Sequence, residues 1–166
     1  MDIQNFSTQF SVRILTDSDV AQVYELCKNN PIYYQHCPPL VSEESIRKDM
    51  ASLPPHKTME DKFYVGYFDE NKLIAVLDLI REFPDKDTVF IGFFMMDIAM
   101  QHKGVGTKII DELCLYLQQQ GYSHIRLGWV EGNPQAEHFW HKNGFTETGV
   151  TSQTENYIMI FAQRDL

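Results

Sequence analysis

Residues 88–98, TVFIGFFMMDI, are almost uninterruptedly apolar. A half-exposed strand would alternate, so this stretch reads as a central strand covered on both faces. The chain continues through Gln101-His102-Lys103-Gly104-Val105-Gly106 into 107–120. There Ile109, Ile110, Leu113 and Leu117 recur at helical spacing, and Gly121 supplies a stop. SHIRLGWV (123–130) then alternates as a strand, with Ile125, Leu127 and Trp129 on one side. Strand, helix and strand in succession make the two strands parallel. Neither Gly104 nor Gly106 has a packing role on this reading that alanine could not fill, so the junction uses the backbone itself.

The rest of the chain adds shorter elements around this unit. SVRILT (11–16) alternates as a strand. Thr16, with Asp19 three residues on, has the pattern of a capping box and opens a helix over about 17–29. NNPIYYQHCPPL (29–40) holds three prolines and reads as a turn-rich loop. Ser42 caps a second helix, EESIRKDMASL, closed by Pro54 and Pro55. KFYVGYFD (62–69) and KLIAVLDLI (72–80) are strands joined by a turn at Glu70-Asn71, and so pair antiparallel. Asn133 caps a last helix with Pro134 at its first position, ending at Gly144. The tail, 144–163, reads as a two-stranded hairpin. The sum is an α/β chain with one mixed sheet and helices on its faces. No repeat or linker interrupts residues 1–166, which are expected to be a single domain.

Composition narrows the function classes. Hydrophobic residues are 43% and charged residues 22%, values of an ordinary globular protein. No apolar run is long enough for a membrane span, and the N-terminus MDIQNFSTQF has neither the basic nor the apolar region of a signal peptide. Cys27, Cys37 and Cys114 are odd in number and unrelated in spacing. They fit free thiols of a reducing, cytoplasmic compartment better than disulfides or a metal site. A net charge of −9 argues against a nucleic-acid partner and favours cationic small molecules.

Two glycines between strand and helix let successive amides converge on one point, to which the helix adds its own unpaired N–H groups and dipole. Such a cup suits a phosphate or pyrophosphate, and Lys103 and Lys108 add charge. Other phosphate loops do not match. The dinucleotide fingerprint needs a third glycine where Ile109 stands. The nucleotide-triphosphate loop needs Gly-Lys-Ser/Thr and an earlier glycine, where this chain has Gly106-Thr107-Lys108 and Gln101.

The pattern Gln101-x-x-Gly104-x-Gly106 after a long apolar strand resembles the pyrophosphate loop of the GNAT superfamily of acetyl-CoA-dependent N-acetyltransferases. The order of elements is similar to that fold over nearly the whole chain. EGNPQAEHFWHKNGF (131–145) resembles the family's second signature through Asn133, Ala136, Phe139-Trp140 and Gly144-Phe145. The resemblance implies a mostly antiparallel central sheet with one parallel pair that splays apart, and acetyl-CoA, without a metal, as co-substrate in the gap. It also implies a bulge in the central strand, whose backbone at Phe94, Met95 and Met96 binds pantetheine and the acetyl carbonyl. Free ladder donors at a bulge could polarise that carbonyl. The loop amides of His102, Lys103, Gly104, Val105, Gly106 and Thr107 take the pyrophosphate, Gln101 braces the loop, and Asn133 reaches pantetheine or simply caps its helix. Where the family commonly has proline two residues past the bulge, this chain has Ile98.

The implied chemistry is transfer of an acetyl group to a primary amine by direct attack in a ternary complex. An alkyl ammonium has a pKa near ~10.4, so a base must help remove its proton. Many family members place a Tyr on the last helix beside the departing sulfur. Here that position holds Trp140, whose indole can donate a hydrogen bond but cannot give up its proton. Trp140 therefore orients the thioester or merely packs. Glu131, beside the expected cleft, is a candidate base. Asp78 within AVLDLI is either a buried acid with a raised pKa or an edge or bulge residue. Asp97 is expected to be structural, and His138 and His141 solvated. Tyr33, Tyr34 and His36 fall where this family tends to line its acceptor site. The acidity hints at a cationic amine such as a polyamine, with a peptide α-amine or an antibiotic as other acceptors. Members of the family often dimerise, so a homodimer is an open expectation. A non-catalytic acyl-CoA-binding or regulatory module of the same fold is the alternative reading.

Overall fold

The computed structural model describes residues 1–166. Strands β1 (Ser11–Ile14), β2 (Lys62–Asp69), β3 (Lys72–Arg81), β4 (Thr88–Met96), β5 (His124–Val130), β6 (Thr146–Gln153) and β7 (Ile158–Asp165) form one sheet. The spatial order is β1-β2-β3-β4-β5-β7-β6. Every neighbouring pair is antiparallel except β4 and β5, which are parallel. The helices are α1 (Val20–Lys28), α2 (Pro31–His36), α3 (Glu43–Ala51), α4 (Val105–Gln119) and α5 (Pro134–Lys142).

The two faces of the sheet carry separate cores. On one, α4 buries Ile109, Ile110, Leu113 and Leu117, and α5 buries Trp140. On the other, α1 buries Val20, Val23, Leu26 and Cys27, and α3 buries Ile46. Strand β4 serves both, which explains its missing alternation. Leu79 on β3 faces Ile91, but Asp78 faces Phe93, so Gly92 is an inserted residue, a β-bulge. One extra residue reverses the parity of the strand. Before it, Val89 and Ile91 join the α4 core; after it, Phe94 and Met96 do, while Phe93 and Met95 turn to the α1 side.

Several boundaries differ from the sequence expectations. Residues 29–40 are not all loop. Asn30-Pro31 starts the short α2, because proline at a first helical position is already set to the helical φ. The box at Thr16 and Asp19 closes a single 3-10 turn, Asp17–Asp19, ahead of α1. Strand β4 stops at Met96, and Asp97 caps the 3-10 turn Ile98–Met100, accepting from Ala99 N–H at 2.8 Å. Asp97 also pairs with Lys72, the structural role expected of it. Helix α4 begins two residues early, at Val105. No helix is long and apolar enough to cross a membrane.

Candidate active site

Between the end of β4 and the first turn of α4, six consecutive backbone N–H groups, His102 to Thr107, meet no acceptor within the protein. The first paired amide is that of Lys108, which donates to Gly104 C=O at 3.0 Å. Gly104 is left-handed, φ +79°, with open space where a Cβ would stand, so its backbone angle alone accounts for the glycine. His102 is also left-handed, φ +58°, at a cost of order 1 kcal/mol. Gly106 differs from expectation because it does have a packing role. A Cβ there would lie 2.7 Å from Met96 Sδ and 3.1 Å from the Phe139 ring. Its small size lets α4 sit tightly against both β4 and α5.

Side chains fix the loop from behind. Gln101 Nε2 donates to Asn30 Oδ1 at 2.6 Å and to Met96 C=O at 3.3 Å, and Gln101 Oε1 accepts from Gln135 at 3.3 Å. Asn30 Nδ2 donates to Leu26 C=O and Met96 C=O, both at 3.0 Å. The sequence reading missed Asn30, which is buried; its signal was an asparagine directly before a helix-starting proline. Lys103 is exposed beside the loop. Lys108 instead donates to Gln9 at 2.7 Å, so its charge is tied to the N-terminal segment.

The loop lies at the open end of a fork. Parallel pairing of β4 and β5 runs over four residue pairs and ends at Ile91 and Leu127. Beyond that point β4 pairs only with β3, up to Met96, and β5 only with β7, up to Val130. Asp97 N–H donates to Ile74 C=O at 2.8 Å, directly opposite, which fixes the phase of the antiparallel ladder. Two residues back, Met95 also turns its backbone to β3. Phe94 and Met96 turn theirs into the fork. Of the three residues expected to offer backbone groups, Met95 is thus occupied by the sheet. Met96 offers only its N–H, because its C=O takes Asn30 and Gln101.

Helix α5 walls the fork. Asn133 Oδ1 accepts from Ala136 N–H at 3.1 Å, an N-cap. Its Nδ2 has no partner in the protein and is not sealed from solvent. Trp140 packs among Phe139, Phe145 and Phe94, with ring centroids 4.9, 5.2 and 6.0 Å away. Its indole N–H is likewise unpaired and not sealed. Glu131 is exposed, and its carboxylate contacts no donor; only its backbone N–H is used, bonded to Ile158 C=O at 2.9 Å. His138 is exposed. His141 is exposed too, edge-on to Trp129 and within 4.0 Å of Glu137.

Across the sheet, Gly92 and Phe93 form the floor of a cavity of about 470 Å³ beneath α2 and α3. Tyr33 and Tyr34 line it, Tyr33 edge-on to Phe93 at 5.8 Å, and His36 does not. Burial raises the hydroxyl pKa of both tyrosines and pushes the Cys27 thiol up to about 11. Asp78 is the buried acid, opposite the bulge. Its Oδ2 accepts from buried Lys62 Nζ at 2.8 Å, while Oδ1 has no partner. Burial raises its carboxyl despite the opposing pull of Lys62. Asp49, missed from sequence, joins the lining from α3. It is solvent-accessible, yet the protein around it raises its carboxyl as well.

A mixed sheet forked at its one parallel pair, bulged beside the fork and leading into a row of free amides, defines a protein of the acyltransferase class. The chain belongs to the GNAT acetyltransferase family, whose model, "Acetyltransferase (GNAT) family", matches residues 22–145. An acetyltransferase from Thermus thermophilus superposes with TM-score 0.75 at 15% identity, covering 95% of this chain and 97% of that one. A Salmonella typhimurium acetyl transferase, described as modifying the N-terminal serine of 50S ribosomal subunit protein L7/L12, gives TM-score 0.74 at 18% identity, with 97% of each chain covered. The PaiA N-acetyltransferase of Thermoplasma acidophilum, solved in complex with coenzyme A, gives 0.67 at 18%, covering 95% and 99%. At these identities the likeness concerns the fold. No curated protein matches the chain by sequence.

Proposed function

We propose that this protein is an acetyl-CoA-dependent N-acetyltransferase acting on a primary amine in a ternary complex. The observation that carries the reading is the run of six unpaired amides, His102 to Thr107, at the mouth of a fork in the sheet. Family membership supports it. So does the fit of the donors, since neighbouring N–H groups at a helix start match a pyrophosphate.

On this reading the loop amides hold the pyrophosphate, and the arm of the cofactor fills the fork. Asn133 Nδ2 donates to pantetheine. The N–H groups of Phe94 and Met96 bind along the same arm and stabilise the charge that builds on the acetyl carbonyl oxygen. Bound acetyl-CoA supplies an activated thioester. Trp140 steadies the sulfur through its N–H without giving up a proton. Glu131 stands in solvent and lacks the enclosure that tunes a base; Asp78, beside the bulge, has it. The three free thiols fit a reducing, cytoplasmic compartment.

The test is calorimetry with coenzyme A, followed by thiol release from acetyl-CoA over a panel of amines. Binding with turnover is expected. Gly104→Val should weaken binding at least about tenfold, because a β-branched residue resists the left-handed angle. No heat of association from folded protein sinks the reading. Binding without turnover of any amine leaves the non-catalytic module, which Trp140 in the tyrosine position favours.

A further inference from the structure

The cavity under α2 and α3 is walled mainly by apolar side chains, among them Tyr33, Tyr34, Tyr64, Phe90 and Phe93. Its volume, about 470 Å³, lies in the range of small-molecule sites. It carries two carboxylates, Asp49 and Asp78, and the buried ammonium of Lys62 is bound to the second. Lys62 Nζ also donates to Ser52 C=O at 3.0 Å, which fixes it in place. Lys62 also acts on Asp49 at longer range, as does Lys48, exposed on the outside of α3, so the two carboxylates share one buried ammonium and the lining keeps one excess negative charge. Asp78 is nine-tenths buried, and its Oδ1 accepts from nothing, an expensive state for a carboxylate oxygen.

Gly92 joins this cavity to the fork. It is the first β4 residue past the last β4–β5 pair, and it is exposed although its strand is central. A Cβ at Gly92 would lie 2.7 Å from Asp78 Oδ2. The missing side chain thus brings the Asp78 carboxylate up to the strand backbone just where the fork begins.

Resting on the function proposed above, we infer that this cavity is the acceptor site and that it takes a small primary amine with one cationic centre and an apolar, preferably aromatic, body. The aromatic walls take up the body, and the single excess carboxylate matches one ammonium. A polyamine or an aminoglycoside would bring further charges with no partners in this lining, and an unpaired buried charge is costly. The acidity of the whole chain suggested a polyamine; the lining of this cavity argues otherwise. Transfer is balanced as follows. The amine nitrogen, having given one proton to a carboxylate, bonds to the acetyl carbon. The carbon–sulfur bond breaks, the second amine proton ends on the departing thiolate as free thiol, and the carboxylate gives the first proton to solvent, which restores it for the next turnover.

Turnover at saturating acetyl-CoA should be compared for 2-phenylethylamine, spermidine, kanamycin and a seryl peptide. The kcat/KM for 2-phenylethylamine is expected to exceed the others at least about tenfold. Asp49→Asn, at an accessible residue whose side chain makes no hydrogen bond, and Val41→Trp, which fills the cavity from its rim, should each lower that kcat/KM about tenfold or more. Both should leave the Kd for coenzyme A unchanged. Preference for spermidine, kanamycin or the peptide overturns the inference, as do two variants that both turn over normally. If no amine reacts, calorimetry of 2-phenylethylamine against the coenzyme A-loaded protein decides, and no heat overturns it. Failure to bind coenzyme A removes the underlying function as well and is seen separately.

Discussion

Asp19 accepts from both terminal nitrogens of Arg13, at 2.9 and 2.7 Å, and from Thr16 N–H at 2.8 Å. The Arg13 hydrogen bonds, helped by Thr16, hold its carboxyl at about 2, below the usual value of 3.8. A depressed carboxyl adds stability that is present above its unfolded value and is lost as pH falls through the folded one. The shift by itself corresponds to about 2 kcal/mol, and solvent screening at half-exposed Arg13 brings this nearer about 1 kcal/mol. Asp19→Asn should therefore cost about 1 kcal/mol at pH 7 in urea unfolding, and the gap to wild type should close between pH 4 and pH 2. A gap that stays constant over that range would refute the ion-pair account. Asn133 tests two roles held by one side chain. Aspartate caps as well as asparagine but lacks the N–H donor. Asn133→Asp should keep stability within about 0.5 kcal/mol while weakening coenzyme A roughly tenfold or more. Unchanged affinity for coenzyme A would mean that Asn133 only caps.

Strand β4 divides its amides in a way open to direct measurement. Met95 N–H is bonded in the ladder to β3, whereas those of Phe94 and Met96 face the fork. By hydrogen exchange, Met95 should be protected in the free protein, and Phe94 and Met96 only when coenzyme A is added. Equal protection of all three without cofactor would mean the fork is closed. The sequence made β4 legible as central, the glycine loop legible as a cup, and Asn133 legible as a cap, because each rests on local pattern. The resemblance put the bulge at Phe94 to Met96, and the structure moves it to Gly92. A run apolar on both faces hides a parity change, and only the pairing with Asp78 and Leu79 reveals it. The tight fit of Gly106 against Met96 and Phe139 was equally hidden, since it depends on two other elements. Asp78 could be named as a candidate from sequence, but Lys62 and Asp49 come from elsewhere in the chain, so the cavity they share could not.

At the scale of the molecule, β1 to β4 form one half of the sheet and β5, β7 and β6 the other, joined by four β4–β5 pairs. A cofactor lying in the fork would touch both halves. Coenzyme A at a hundred times its Kd should raise the unfolding free energy by about 2.7 kcal/mol, read as a shift of the thermal midpoint. The amides of β5 and β7 should gain protection along with those of β4. A midpoint that does not move, or a gain confined to the loop, would place binding outside the fork. The short join also bears on how the molecule wears. A zip four teeth long, no longer than the one that holds edge strand β1 to β2, is a weak seam across the middle of the fabric. The C-terminal strands should peel away there as a unit, so supply of the cofactor would lengthen the life of the protein in the presence of proteases.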